Sequence, residues 1–206
     1  MAFDPPPLTE AGADADPLAQ FETWFGEERD AGHDMPEAAA VATANADGAP
    51  SVRMVLVKQF DPSGFSFFTN YESAKSAQLS AEPRAAMLFT WLQLHRQVRI
   101  NGIVERLPEV ESDEYYQSRP RASQIGAWSS PQSQVLPSRA FLEERVTQFE
   151  QTFADVDEVP RPAYWGGWML RTVSYEFWQG RPSRLHDRLR YRLGPDDEWV
   201  IERLAP

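Results

Sequence analysis

From Pro17 onward the apolar residues Leu18, Phe21, Trp24 and Phe25 fall on one helical stripe, and Asp16 followed by Pro17 offers an N-cap and a proline at the first helical position. A helix over about 17 to 30 is predicted. From Ala38 the pattern changes to runs of strand type, AAAVATAN, SVRMVLVKQF and GFSFFTN, punctuated by the turn signals Asp47-Gly48 and Asp61-Pro62-Ser63-Gly64. Ser73 can cap a short helix through about Ala81, which Pro83 ends, and RAAMLFTWLQL and QVRINGIVERL read as two more strands. The acid-rich PEVESDEYYQS begins a further helix that exits at Arg119-Pro120. RASQIGAWSSPQSQVLPS lacks periodicity and is rich in Ser, Gln and Pro, so it reads as an ordered loop able to carry function. From Ser138, the spacing of Phe141, Leu142, Val146, Phe149 and Phe153 predicts a helix. Three closing strands follow VPRPAYWGG: WMLRTVSYEFWQ, RLHDRLRYRL and EWVIERL, the last two joined by a turn at Gly194-Pro195-Asp196-Asp197. The sum is an antiparallel, barrel-like α+β domain of about six to eight strands with helices outside it.

At 206 residues one domain is expected, over 17–206, preceded by a disordered acidic leader over 1–16. A net charge of −11 argues against nucleic acid and anionic membranes as partners, so any basic site must be local. The N-terminus has no apolar signal region and no later stretch has the apolar length of a membrane span. The absence of cysteine excludes disulfides, thiolate metal sites and a cysteine nucleophile, and suits a cytoplasmic setting. His33, His95 and His186 are scattered, so no metal site is expected.

Three basic groups stand out in this acidic chain. If the segment from Trp178 to Tyr191 ends in a strand, Arg184, His186, Arg188, Arg190 and Arg192 share one face. That face is either solvated and paired with glutamates or a surface for a phosphate-bearing ligand. In SVRMVLVKQF, strand alternation sends Arg53 and Lys58 to opposite faces, one of them towards an anionic partner or out to water at a strand end. Tyr115 and Arg119 stack four apart on a helix and Ser123 follows Pro120, a set suited to a monophosphate or, for the pair alone, to a core tyrosine beside a surface arginine. No GxGxxG, Walker or GxSxG motif is present, and Gly166-Gly167 between tryptophans reads as a close-packing device.

Taken together, RMVLVK (53–58), FFTN (67–70), RQV (96–98), SRPRASQIGAWSSPQS (118–133), WGG (165–167), FWQG (177–180) and RLHDR (184–188) resemble the pyridoxine/pyridoxamine 5'-phosphate oxidase family, collinearly from about Pro17 to Pro206. The resemblance implies a split β-barrel, a homodimer, and one flavin mononucleotide (FMN) in each of two clefts at the subunit interface. It assigns to FMN the residues Arg53, Met54, Val55, Leu56, Val57, Lys58, Phe68, Thr69, Lys75, Gln97, Gln132, Ser133, Trp178 and Arg188. It assigns the substrate phosphate to Lys58, Tyr115, Arg119 and Ser123, and sets Arg184 and His186 over the pyridine ring as the catalytic pair. The implied reaction is oxidation of pyridoxine or pyridoxamine 5'-phosphate at C4′, giving pyridoxal 5'-phosphate, with O2 reoxidising the flavin to yield H2O2. One departure is visible: where the family usually reads Ser-Arg-Lys, this chain has Ser73-Ala74-Lys75, so no FMN contact is carried to Ala74, and Arg84 or another cation is left to compensate. Two rivals share the pattern: a split-barrel relative with another substrate, and a non-catalytic binder of FMN or pyridoxal phosphate.

Overall fold

The alternating segments form eight antiparallel strands, and the computed structural model describes residues 6–206. Helix α1 (Pro17–Asp30) opens the fold, its N-cap made by the Asp16 carboxylate accepting from Leu18 N at 2.9 Å. Strands β1 (Ala38–Ala44), β2 (Pro50–Asp61) and β3 (Gly64–Asn70) follow, then α2 (Ala74–Ala81), β4 (Arg84–Trp91) and β5 (Arg96–Arg106). Helices α3 (Glu109–Ser118), α4 (Arg121–Ser129) and α5 (Arg139–Thr152) lead to β6 (Trp165–Gln179), a 3₁₀ turn at Pro182–Arg184, β7 (Asp187–Leu193) and β8 (Trp199–Arg203).

The sheet order is β3-β2-β1-β4-β5-β6-β7-β8, and β3 also pairs with β6, which closes the first six strands into a barrel. Strand β6 does this by changing neighbours along one edge. Its residues 165–170 pair with β3 and its residues 174–179 with β7, while β5 runs along the other edge. The bulge needed for this bend falls where the β5–β6 register shifts, at Asn101/Gly102. A Cβ at Gly102 would lie 2.1 Å from the Arg171 carbonyl oxygen, so only glycine lets the two backbones approach there.

The apolar stripe of α1 plugs the barrel. Phe21 is fully buried and meets the rings of Phe65 and Phe89 at 4.9 Å and Phe60 at 5.0 Å, all edge-on. Trp24 is edge-on to Phe177 at 5.3 Å and carries Arg96 over its face.

Two local expectations are corrected. The segment read as a loop from Arg121 forms α4 over its first nine residues, because Gln124, Ile125 and Ser129 are buried and tertiary contacts override weak helix propensity. The acidic leader is not disordered over the described part, whose side chains supply caps and clamps rather than repulsion. Leu8 is buried in the core, its N–H donates to Asp187, and Tyr191 Oη donates to the Asp14 carbonyl at 2.7 Å. Arg203, near the opposite terminus, forks onto Glu10 and donates to the Leu8 carbonyl. Residues 1–5 of that expected leader lie outside the described residues. Replacing Phe21 by alanine is expected to cost about 3–5 kcal/mol of stability through the cavity it opens, measured by urea unfolding; a loss below about 1 kcal/mol would show that α1 is not the barrel plug.

Candidate active site

A cavity of about 750 Å³ opens beside β2, β3, α2 and α4. Strand β2 pairs with β3 only from Val57 to Asp61, which leaves the β3-side edge of its earlier residues unpaired. Arg53, Met54, Val55 and Leu56 all line the cavity from this stretch: β1 pairs its other edge, and the open edge presents residues of both strand faces to the cavity. Lys58 lines the cavity as well, as the extra residue of a β-bulge where the register slips between Val57 and Gln59. The alternation expected of these two cations runs on as far as Lys58, with Arg53 in phase with the buried Val57 and Lys58 in phase with the exposed Met54 and Leu56, and the open strand edge brings both to one cavity. Val57, 4 % exposed, is buried in the core and does not line the cavity.

One end of the cavity is a cationic pocket. Lys75 Nζ donates to Thr69 Oγ1 at 2.8 Å, Gln132 Oε1 at 2.9 Å and Ser73 Oγ at 3.1 Å. Arg53 donates to Thr43 Oγ1, to the Val41 carbonyl and to Gln78 Oε1. Every one of these partners is neutral. Burial, with Arg53 close by, pulls the Lys75 ammonium down to about 8, and burial also lowers the Arg53 guanidinium below its ordinary value. Ser133, next to Gln132, holds a positive φ of 73° and lines the same wall. Ala74 lines it without a charge. Arg84 does not stand in for it: it lines a different groove and forks onto Glu82.

The other end is aromatic and carries a second cation. Phe68 stacks on Tyr115 at 3.9 Å and on Trp165 at 5.7 Å, and Arg119 lies 4.5 Å over the Trp165 ring. Arg119 Nη1 is buried with no hydrogen-bond partner among the described residues, and burial lowers this guanidinium too. Ser123, in the first turn of α4, lines the cavity with Tyr115 and Arg119, and burial raises the Tyr115 hydroxyl, which keeps it a donor. Lys58 Nζ has Glu37 at 3.8 Å. Asn70, Gly126, Ala127, Ser130 and Trp165 line the cavity as well and are not among the sequence candidates. The WGG run was the available signal. A Cβ at Gly167 would meet Leu107 at 2.4 Å and Phe68 at 2.8 Å, so the second glycine after Trp165 lets β3 and β6 close beneath the aromatic stack.

The remaining candidates line none of this cavity. Gln97 is the cross-strand neighbour of Trp178, and Trp178 of Arg188, so the three form a row across β5, β6 and β7. His186 packs on Trp178 at 4.5 Å between ring centres and its Nδ1 accepts from the Arg181 N–H at 3.1 Å, which puts the proton of the neutral ring on Nε2. Arg184 is exposed in the 3₁₀ turn, where both it and Ser183 hold positive φ, at 62° and 58°. The strand begins only at Asp187, so the shared basic face does not extend back to Arg184 and His186. Arg190 and Arg192 pair with Glu202, and Arg188 with the buried Glu176 and the Ala205 carbonyl. The paired, solvated reading thus holds for Arg190 and Arg192.

Among the described residues no group of carboxylates, histidines and cysteines is arranged to hold a metal ion, and no helix is long and apolar enough to cross a membrane.

Comparison with known proteins gives a consistent picture. A family model described as pyridoxamine 5'-phosphate oxidase matches residues 25–153, and one described as the pyridoxine 5'-phosphate oxidase C-terminal dimerisation region matches 165–206. A pyridoxine/pyridoxamine 5'-phosphate oxidase of Salinibacter ruber is 55 % identical over 93 % of this chain and 89 % of its own. One from Cupriavidus pinatubonensis is 51 % identical over 97 % and 93 %. Among solved structures, PhzG from Burkholderia lata, in complex with tetrahydrophenazine-1-carboxylic acid, superposes with a TM-score of 0.89 at 28 % identity, covering 97 % and 98 % of the two chains. An FMN-binding protein of Nostoc punctiforme related to pyridoxamine 5'-phosphate oxidase shares the fold, with a TM-score of 0.73 at 15 % identity over 94 % and 100 %.

The Lys75 ammonium sets a pH dependence. Its folded value of about 8 lies below the ordinary 10.5, so the unfolded chain holds more protons between them and, in the empty protein, this group makes stability rise with pH across that window. Binding an anion has the opposite sign. Affinity for a phosphate-bearing ligand is expected to fall as pH rises through about 8, and Lys75→Met to weaken binding and flatten that profile; an unchanged profile in the variant, followed by isothermal titration, would remove Lys75 from the anion site.

Proposed function

The chain belongs to the pyridoxine/pyridoxamine 5'-phosphate oxidase family, and from that premise we infer that it is an FMN-dependent oxidase: it converts pyridoxamine or pyridoxine 5'-phosphate to pyridoxal 5'-phosphate and reduces O2 to H2O2. Its homodimeric state follows from the C-terminal dimerisation region that it carries. A cytoplasmic setting belongs to the same reading, as suits a chain without cysteine.

The observation that carries the site assignment is Arg119 Nη1, a buried guanidinium nitrogen without a hydrogen-bond partner among the described residues, in a cavity that also holds Arg53 and Lys75 on neutral partners. Such groups are expensive to bury unless a ligand supplies the counter-charge. Two phosphates fit two cationic ends. Arg53 and Lys75, with Thr69, Gln132 and Ser133, hold the FMN phosphate; Met54, Val55, Leu56 and Phe68 line the flavin's path along the open edge of β2. Arg119, Lys58, Tyr115 and Ser123 hold the substrate phosphate, the arginine by a fork and the others by single donors.

FMN, when bound, supplies the redox chemistry, taking two electrons from the substrate and delivering them to O2. The protein's own residues fix the pose. Phosphate anchoring at Arg119 turns recognition of a non-reacting group into orientation of the ring, and the walls around Phe68 and Trp165 exclude water. Gln97, Trp178, Arg184, His186 and Arg188 complete the site from the other subunit, so that each FMN lies at the subunit interface. Their absence from the cavity of their own protomer, and their place on strands β5 to β7 and the turn between β6 and β7, with all but Gln97 in the dimerisation region, support this arrangement. The partner subunit's Arg184 and His186 then lie over the pyridine ring. His186 meets the ligand through Nε2, as a donor while neutral, because Nδ1 is engaged by the Arg181 N–H.

With FMN added, the purified protein is expected to form both aldehyde and peroxide from pyridoxamine or pyridoxine 5'-phosphate in air; tight flavin binding without turnover on either would refute the oxidase. Arg119→Ala and Arg184→Ala should each lower kcat/KM by about 10- to 100-fold, and a mixture allowed to exchange subunits should regain activity, since one site of each mixed dimer escapes both changes. A mixture no more active than its components would place the whole site within one protomer.

A further inference from the structure

Arg53 is held by an apparatus that the cavity itself does not need. Gln78 lies three residues after Lys75 on α2, is 8 % exposed, and uses its whole amide. Its Nε2 donates to Asn45 Oδ1 at 2.8 Å and Ser51 Oγ at 3.2 Å. Its Oε1 accepts from Arg53 Nη2 at 3.0 Å and from Thr43 Oγ1, and Thr43 Oγ1 in turn accepts from Arg53 Nη1. The amide cannot flip, because Nε2 would then face the guanidinium donor to donor. Arg53 is thus gripped on both terminal nitrogens by neutral oxygens.

Neutral partners set Arg53 apart from most arginines of this molecule, although Arg121 and Arg145 also donate to neutral groups, in their case backbone carbonyls. With 31 acidic residues in the chain, many arginines rest on carboxylates: Arg84 on Glu82, Arg171 on Glu105, Arg190 and Arg192 on Glu202. A carboxylate orients a guanidinium but also cancels its charge. An amide oxygen orients it and leaves the charge for a ligand.

We propose that Gln78 is a positioning residue for the cofactor: together with Thr43 it fixes Arg53 against the FMN phosphate while leaving the arginine's positive charge uncancelled. This rests on the reading of Arg53 and Lys75 as the FMN phosphate pocket. Gln78 touches neither flavin nor substrate and acts only through Arg53.

The test compares FMN with riboflavin, which lacks the phosphate, by fluorescence titration of the whole chain freed of flavin. Gln78→Glu keeps size and a grip on Arg53 but adds the cancelling charge; Gln78→Ala removes the grip. Both should weaken FMN by about ten-fold or more and leave riboflavin within about two-fold. Should Gln78→Ala fail to fold, Gln78→Glu alone decides, its fold checked by thermal melting. Equal losses for the two flavins would make Gln78 a general structural residue and overturn the proposal. Unchanged FMN affinity in the Gln78 variants, with FMN weakened in Arg53→Ala, would overturn it while leaving the phosphate pocket intact. Unchanged FMN affinity in Arg53→Ala would remove the pocket reading and the proposal with it.

Discussion

The pairing of β6 with both β3 and β7 is the constraint on which the rest of the molecule depends. A single 15-residue strand closes the barrel with its first half and extends the sheet with its second. The first half brings Trp165 beside Phe68 and so builds the aromatic wall; the second sets Trp178 in register with Arg188. Because β3 is drawn onto β6, it leaves most of β2 without a partner on that side, and the cavity occupies the edge so exposed. Closure and ligand site are therefore one event in the fold, with Gly102 and Gly167 as the points where any larger residue would hold the strands apart.

Electrostatics follows the same division. Across most of the surface the arginines are matched with glutamates and aspartates, and such exposed pairs contribute little to stability. In the cavity Arg53, Lys75 and Arg119 are kept away from carboxylates, at a cost in desolvation. The chain's strong negative charge makes this local exclusion of acids easier to see, since chance pairing would have found an acid for most cations.

Much of the fold was legible in the sequence because its signals are local. The stripe Leu18, Phe21, Trp24 marks α1, and the Asp16-Pro17 cap marks its start. The strand runs follow from alternation and turn residues. What escaped was set by distant contacts. Helix α4 exists because Gln124 and Ile125 are buried, and nothing in its Ser- and Gly-containing sequence announces that. That Arg53 and Lys58, in opposite phase along β2, serve one cavity depends on the edge that β3 leaves open, which alternation alone does not show. The basic groups were visible individually; their partners were not, and it is the partners that separate Arg190 on Glu202 from Arg119 with a free nitrogen. The proposed phosphate roles rest on residue type and on resemblance, and the neutral partners of Arg53 and Lys75 add a physical argument for them that the sequence did not contain.

The clasp between the chain ends has a consequence for the topology of the polymer itself. Arg203 grips Glu10 and Leu8 across a sequence separation of 193 residues or more, and Asp187, which accepts from both Leu8 N and Arg203, ties the same knot to β7 beside His186. From Leu8 to Arg203 the backbone behaves as a noncovalent ring. Leu8 and Arg203 lie close enough for a linker to join the segments that carry them, with new ends opened at a surface turn such as Asp47-Gly48, whereas trimming residues 6–10 as dispensable would unfasten the C-terminal strand and loosen the turn that carries Arg184.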